Sequence, residues 1–177
     1  QLQSWLKQHP GLDLILSVNL DERQFHDPGL PMQLQTLLRS HGMPAQRLQL
    51  EMTETVFRNG RHTAIERLLE LKALGLRLAV DDFGTGYSSL ESFASPAFDV
   101  LKIDHSFIVD LVGNPRNRAL TRTIIGLAHD LELDLIAEGV ETAAQRRLLQ
   151  DMGCRGGQGI LFGAPMESDA FALLLDK

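Results

Sequence analysis

The sequence predicts an α/β fold built on a parallel sheet, and three observations carry that reading. Short apolar runs alternate with amphipathic stretches of 10 to 13 residues, the pattern of successive βαβ units. Most of the apolar runs end in a carboxylate or carboxamide. No Pro-, Gly- or Ser-rich linker divides the 177 residues, which suit one domain with a sizeable core.

The first run is Leu14 to Val18. Leu30 to Arg39 follows with helical spacing of Leu30, Leu34, Leu37 and Leu38, and stops at His41-Gly42, where a C-cap belongs. Leu48 to Glu51 is the second run. Thr63 to Leu74 reads as a helix with Ile65, Leu68, Leu69 and Leu71 on one side, and Gly75 provides a left-handed stop. Leu76 to Val80 and Val100 to Ile103 are the third and fourth runs. Asn117 to His129 is helical, with Leu120, Ile124, Ile125, Leu127 and Ala128 apolar. Leu133 to Ala137 is the fifth run, and Thr142 to Met152 is a helix with Thr142 as N-cap and Gly153 as stop. Gly159 to Phe162 is a weaker sixth run. Phe83 to Pro96 has no clear period, and a loop of that length in a compact domain tends to be functional.

Composition excludes several classes. A formal net charge of -6 and a single cysteine, Cys154, leave no basic footprint for DNA or RNA, no internal disulfide framework and no cysteine-only zinc site. No apolar run reaches the roughly 18 residues of a spanning helix, so a cytoplasmic domain is expected, whether or not its parent protein is membrane-anchored. The length falls short of the ~250 residues of a complete (β/α)₈ barrel.

The ends of the runs carry the chemistry. Val18 leads into Asn19, Leu50 into Glu51, Val80 into Asp81 and Asp82, Ile103 into Asp104 and Ala137 into Glu138, while Gln158 precedes the sixth run. Parallel strands would gather these groups at one edge, together with Lys102, which alternates with Leu101 and Ile103 and shares a face with Asp104. For any one such residue, capping of a turn or helix is an equal explanation. The adjacent Asp81 and Asp82 with two further glutamates fit that explanation less well, because converging carboxylates repel one another unless a cation neutralises them. Oxygen donors without paired Cys or His point to Mg²⁺ or Mn²⁺.

The blocks Ser17 to Leu20, Glu51 to Glu54, Asp81 to Leu90, Leu101 to Asp104, Ala137 to Thr142 and Gln158-Gly159 resemble, in order, the signature blocks of EAL-domain cyclic-di-GMP phosphodiesterases. The resemblance implies a TIM-like (β/α)₈ barrel, represented here by about six βα units with the N-terminal strands missing, so that residues 1–177 form a partial EAL domain. It implies hydrolysis of cyclic di-GMP to the linear dinucleotide pGpG in bacterial second-messenger signalling, through two ions of Mg²⁺ or Mn²⁺ that activate water, with Ca²⁺ inhibitory. Asn19, Glu51 and Asp81 match metal ligands, Asp81 in the bridging place. Asp82 and Glu138 match groups that hold the second ion or its water. Lys102 matches the lysine beside the attacking water, and either it or a carboxylate is the base. Asp104 matches a partner behind the metal site, Gln158 a substrate-side residue, Glu54 the anchor of the Asp82-to-Leu90 loop, and Glu141 a further glutamate needed for activity.

The family further implies a homodimer and an upstream sensory or GGDEF-type domain. Two positions depart from its pattern: Asp21 stands where a serine is usual, and His105 where another basic residue is common. The Glu-Ala-Leu motif itself is absent from the chain, and an inactive isolated 177-mer is therefore expected. The alternatives are a non-hydrolytic cyclic-di-GMP receptor or partner-binding domain and, less compatible with the Asp82-to-Leu90 block, an enolase-type acid–base enzyme.

Overall fold

The computed structural model describes residues 1–57, 60–84 and 97–175. Helix α1 (Leu2–Gln8) precedes β1 (Leu16–Asn19), α2 (Glu22–Phe25) and α3 (Leu30–Ser40). Next come β2 (Leu48–Thr53), a 3₁₀ turn (Glu54–Phe57), α4 (Arg61–Ala73) and β3 (Arg77–Phe83). The chain continues through β4 (Val100–Ile103), α5 (His105–Ile108), α6 (Pro115–Asp130), β5 (Asp134–Ala137), α7 (Ala143–Asp151), β6 (Gly156–Gly157) and α8 (Ser168–Leu175).

All strand pairings are parallel, and the order in space is the order in sequence, β1-β2-β3-β4-β5-β6. The sheet is a curled part of a TIM-like barrel. Strand alternation decides which face each residue takes. Leu50, Met52, Leu78, Val80, Leu101 and Ile103 are at most 2% exposed and pack with Leu68, Leu71, Ile108 and Ile125 of the helices. Between them in sequence stand Gln49, Glu51, Asp81 and Lys102, so the opposite, concave face is polar.

Helix ends follow the local sequence. Thr142 accepts a hydrogen bond from the Gln145 backbone N–H, and the Gln145 side chain accepts one from the Thr142 N–H, a capping box that starts α7. Asp21 and Gln24 do the same for α2, which gives the unusual Asp21 a structural task. Asn114 caps α6 ahead of Pro115. At the N-terminal end of the sheet, Lys72 donates to Asp99 Oδ1 at 2.6 Å while Asp99 Oδ2 accepts from the Leu78 N–H at 2.8 Å, and Arg77 of β3 pairs with Asp134 of β5 at 2.7 Å.

The sixth strand is Gly156–Gly157, not the run from Gly159 to Phe162. Two glycines carry no apolar pattern to read, yet they are what the position demands: a Cβ on Gly156 would lie 2.2 Å from the Leu135 carbonyl oxygen. The apolar residues of the supposed run lie in a turn, with Ile160 63% and Phe162 52% exposed. Gln158 thus follows a strand, as the other site candidates do. Helices α1, α2, α5 and α8 also escaped the periodicity analysis, since each has eight residues or fewer. Among the described residues, no helix is long and apolar enough to cross a membrane.

Leu101 is 0% exposed at the centre of the sheet. Leu101→Ala is expected to lower the unfolding free energy by about 2–5 kcal/mol, read by chemical denaturation; a loss below about 1 kcal/mol would contradict this account of the core.

Candidate functional site

The C-terminal ends of the strands meet around Lys102. This lysine is 3% exposed, and its Nζ lies 2.6 Å from Glu51 Oε2 on β2, 3.0 Å from Asp81 Oδ1 on β3 and 2.6 Å from Glu138 Oε1 just past β5. Four adjacent segments of the sheet are therefore tied through one ammonium. Burial alone would lower the lysine pKa, but the close carboxylates of Glu138, Glu51 and Asp81 outweigh it and raise the pKa. Lys102 is a charged donor at neutral pH.

Asp81 and Asp82 are neighbours in sequence and would face opposite sides of a regular strand. Strand β3 advances from Val80 to Phe83 while β4 advances only from Leu101 to Ile103. This bulge, with Asp82 in left-handed backbone at φ 53°, turns the second carboxylate toward the first. One carboxylate oxygen from each of Asp81, Asp82 and Glu138 lies within 4.8 Å of the others.

The cluster is electrostatically unbalanced. Burial and the nearby Asp81 and Asp104 raise the Asp82 pKa, and Asp82 shares a hydrogen bond with Asp104. Glu138 is raised by burial and by Asp81 and Asp82, which outweigh the pull of Lys102. Asp104 is lowered despite its burial, because it caps α5 and accepts hydrogen bonds from Ser106. Asp81 Oδ1 is buried and receives no well-directed hydrogen bond, although Lys102 Nζ is near. Hard oxygen donors in negative excess, one of them under-satisfied, are the donor set that a Mg²⁺ or Mn²⁺ ion takes.

The other candidates lie around this centre. Asn19 pairs in register with Glu51 at the same sheet edge. Glu54 Oε1 accepts from the Gly84 N–H at 3.4 Å, at the start of the loop it was expected to anchor; residues 85–96 of that loop lie outside the described residues. Glu141 is exposed, and its N–H donates to Gln145 Oε1 at 2.9 Å. Gln158 is also exposed, its backbone bonded in both directions to the Ala137 and Val140 segment. His105 packs against Gly139, where φ is 66° and a Cβ would lie 2.1 Å from the imidazole. Sequence reasoning passed over Gln49, a buried amide that donates to Glu51 Oε1 at 3.2 Å. Its place two residues before Glu51 on the same strand face was the signal available.

The comparisons with known proteins point one way. The family description that matches residues 1–165 is "EAL domain". An uncharacterized protein of Azorhizobium caulinodans is 42% identical over 159 residues, covering 90% of this chain and 22% of its own length. The chain spans about a fifth of the length of the curated relatives it matches. Among solved structures, the PaMucR phosphodiesterase in complex with cyclic di-GMP is 36% identical with a TM-score of 0.88, over 96% of this chain and 69% of that one. BlrP1 of Klebsiella pneumoniae, in complex with manganese and cyclic di-GMP, is 30% identical with a TM-score of 0.81, over 92% of this chain and 42% of that one.

Two outcomes are expected from the charge balance. Lys102→Met leaves buried carboxylates unpaired and should cost about 3–5 kcal/mol of stability in chelator, a deficit that added Mn²⁺ reduces; equal stability in chelator would contradict the central role of the ammonium. Because the folded pKa values of Asp82 and Glu138 are raised, their contribution is fully present below the ordinary carboxylate range and is lost as pH rises through the raised values. Asp82→Asn should accordingly raise the melting temperature in chelator by about 2–4 °C at neutral pH, with the gain fading toward about pH 4. No gain at neutral pH would show that the repulsion is already relieved.

Proposed function

Because this chain belongs to the EAL domain family, we propose that it forms the catalytic face of a divalent-metal-dependent phosphodiesterase that hydrolyses cyclic di-GMP to linear pGpG. The observation that carries the reading is the gathering of Glu51, Asp81, Asp82 and Glu138 around Lys102 at the C-terminal edge of the sheet, the edge where barrel enzymes place their chemistry.

Asp81, Asp82 and Glu138 are the donors best placed to hold cations, with Glu51 and the Asn19 amide beside them. Bound divalent ions would supply charge neutralisation at the phosphate and a more acidic attacking water. The protein's own groups do the rest. Lys102 is kept protonated by its partners, so it offers a positive charge and a proton donor to an anionic centre, and the proton of the attacking water goes to a carboxylate. Glu138, whose pKa is raised by burial and by Asp81 and Asp82, is one carboxylate suited to that role. Asp104 stands beside Asp82 and is itself fixed as the N-cap of α5. Gln158, which follows β6, would meet the dinucleotide, and Glu141, three residues after Glu138, would act beside it. Glu54 bonds the backbone at Gly84 and so couples the Asp81-Asp82 bulge to the loop that follows, a route by which a second copy of the domain could act on the metal ligands.

The preferred ions are Mg²⁺ and Mn²⁺, two per site, with Ca²⁺ inhibitory through its looser geometry. In the natural protein at full length, Asp81→Asn is expected to reduce Mn²⁺-dependent conversion of cyclic di-GMP by about 100-fold or more, measured by chromatography of the linear product. Unchanged turnover would sink the assignment. Tight cyclic di-GMP binding by the unmodified protein with no product in Mg²⁺ or Mn²⁺ would make it a receptor instead.

A further inference from the structure

One layer below the metal-site edge, the concave face of the sheet holds two polar residues, Ser17 on β1 and Gln49 on β2. They are register partners, directly beneath the register pair Asn19 and Glu51. Barrel interiors at this depth are usually filled by branched apolar side chains. Gln49 is 3% exposed, and its Nε2 donates to Ser17 Oγ at 3.0 Å and to Glu51 Oε1 at 3.2 Å.

The orientation of this amide follows from its partners. An ionised glutamate only accepts hydrogen bonds, so the group facing Glu51 must be the NH₂, and its two hydrogens are spent on Ser17 and Glu51. Glu51 is thereby gripped at both oxygens: Oε1 by Gln49 and Oε2 by Lys102 at 2.6 Å. The two grips differ in kind. Lys102 is shared among three carboxylates, whereas Gln49 is neutral and, among its recorded side-chain bonds, serves one carboxylate and one hydroxyl.

We propose that Gln49 is a positioning residue for the metal site, a neutral clamp that holds Glu51 Oε1 from beneath while Lys102 holds Oε2, and so fixes the plane of the carboxylate. The inference rests on the metal-dependent reading of the site. A hydrogen bond to the rear of a ligand holds its orientation and is worth roughly 10- to 100-fold in metal affinity where it has been removed from other sites. Ser17 in turn sets the rotamer of Gln49, which ties the geometry of the β2 ligand to β1.

The test uses the natural protein at full length and Mn²⁺ alone as probe, by calorimetry. Gln49→Met keeps the side-chain length and apolar fit while deleting both donors. Its Mn²⁺ Kd should rise about 10- to 100-fold, while its melting temperature in chelator stays within about 4 °C of the parent. A role confined to packing predicts the reverse, a lower melting temperature with an unchanged Kd on the folded protein, and that result overturns the assignment. Ser17→Ala should weaken Mn²⁺ by about 3- to 10-fold, short of the full loss. If Gln49→Met does not fold, this second variant decides, and an unchanged Kd there overturns the proposal. Failure of the unmodified protein to bind Mn²⁺ saturably would overturn the reading of the whole site, a result distinct from the failure of Gln49 alone.

Discussion

A buried ammonium among carboxylates holds the functional end of this molecule together. Parallel strand direction sends the C-terminal ends of β2, β3, β4 and β5 to the same edge, and the residues found there are mostly acidic. Without a cation, Glu51, Asp81 and Glu138 would repel one another in a partly desolvated space where charge interactions are strong. Lys102 lies within 3.0 Å of all three. Its single charge covers only part of the excess, because Asp82 and Asp104 stand close by. The arrangement is thus stable enough to form and negative enough to attract divalent ions, and both properties come from the same count of charges.

The opposite end of the sheet shows the contrast. There Arg77 meets Asp134 one to one, and Lys72 meets Asp99, whose second oxygen is occupied by the Leu78 backbone. Charges paired singly in this way lock one strand to another across the sheet. Barrel folds divide their two rims in this manner, stability at the N-terminal face and chemistry at the C-terminal face, and the division is visible in how completely each acid is paired. The bulge at Asp81-Asp82 belongs to the same economy: a left-handed aspartate and an irregular register are tolerated because the apolar residues on either side, Val80 and Phe83, are deeply buried.

Most of the fold and the identity of the acidic residues could be read from the chain, for physical reasons that also mark where reading stops. Runs such as Leu76 to Val80 have a period and a length, so they announce a strand. Gly156 and Gly157 have neither, because the Leu135 carbonyl beside Gly156 and the Phe162 ring beside Gly157 crowd out a side chain. The four short helices leave too few turns for a periodic signal. At the site, Asp81 and Asp82 were evident as residues, but their convergence depends on a β-bulge that no local pattern encodes. Gln49 was hidden for another reason. It is neutral and bears no motif, and its task is defined only by what lies above it in the register.

The order of the strands in space repeats their order in sequence, and this has a consequence for how the molecule matures. Every pairing in the sheet joins strands that are consecutive in sequence, so each strand meets its partner across a single intervening connection. The acidic centre draws on more of the chain. Its members run from Glu51 to Glu138, and the gathering is complete only when β5 has docked beside β4. A nascent or locally opened chain with four strands in place has a sheet but lacks Glu138 from its acidic cluster. Capture of a divalent ion would therefore report the integrity of the assembled domain rather than the presence of any single segment.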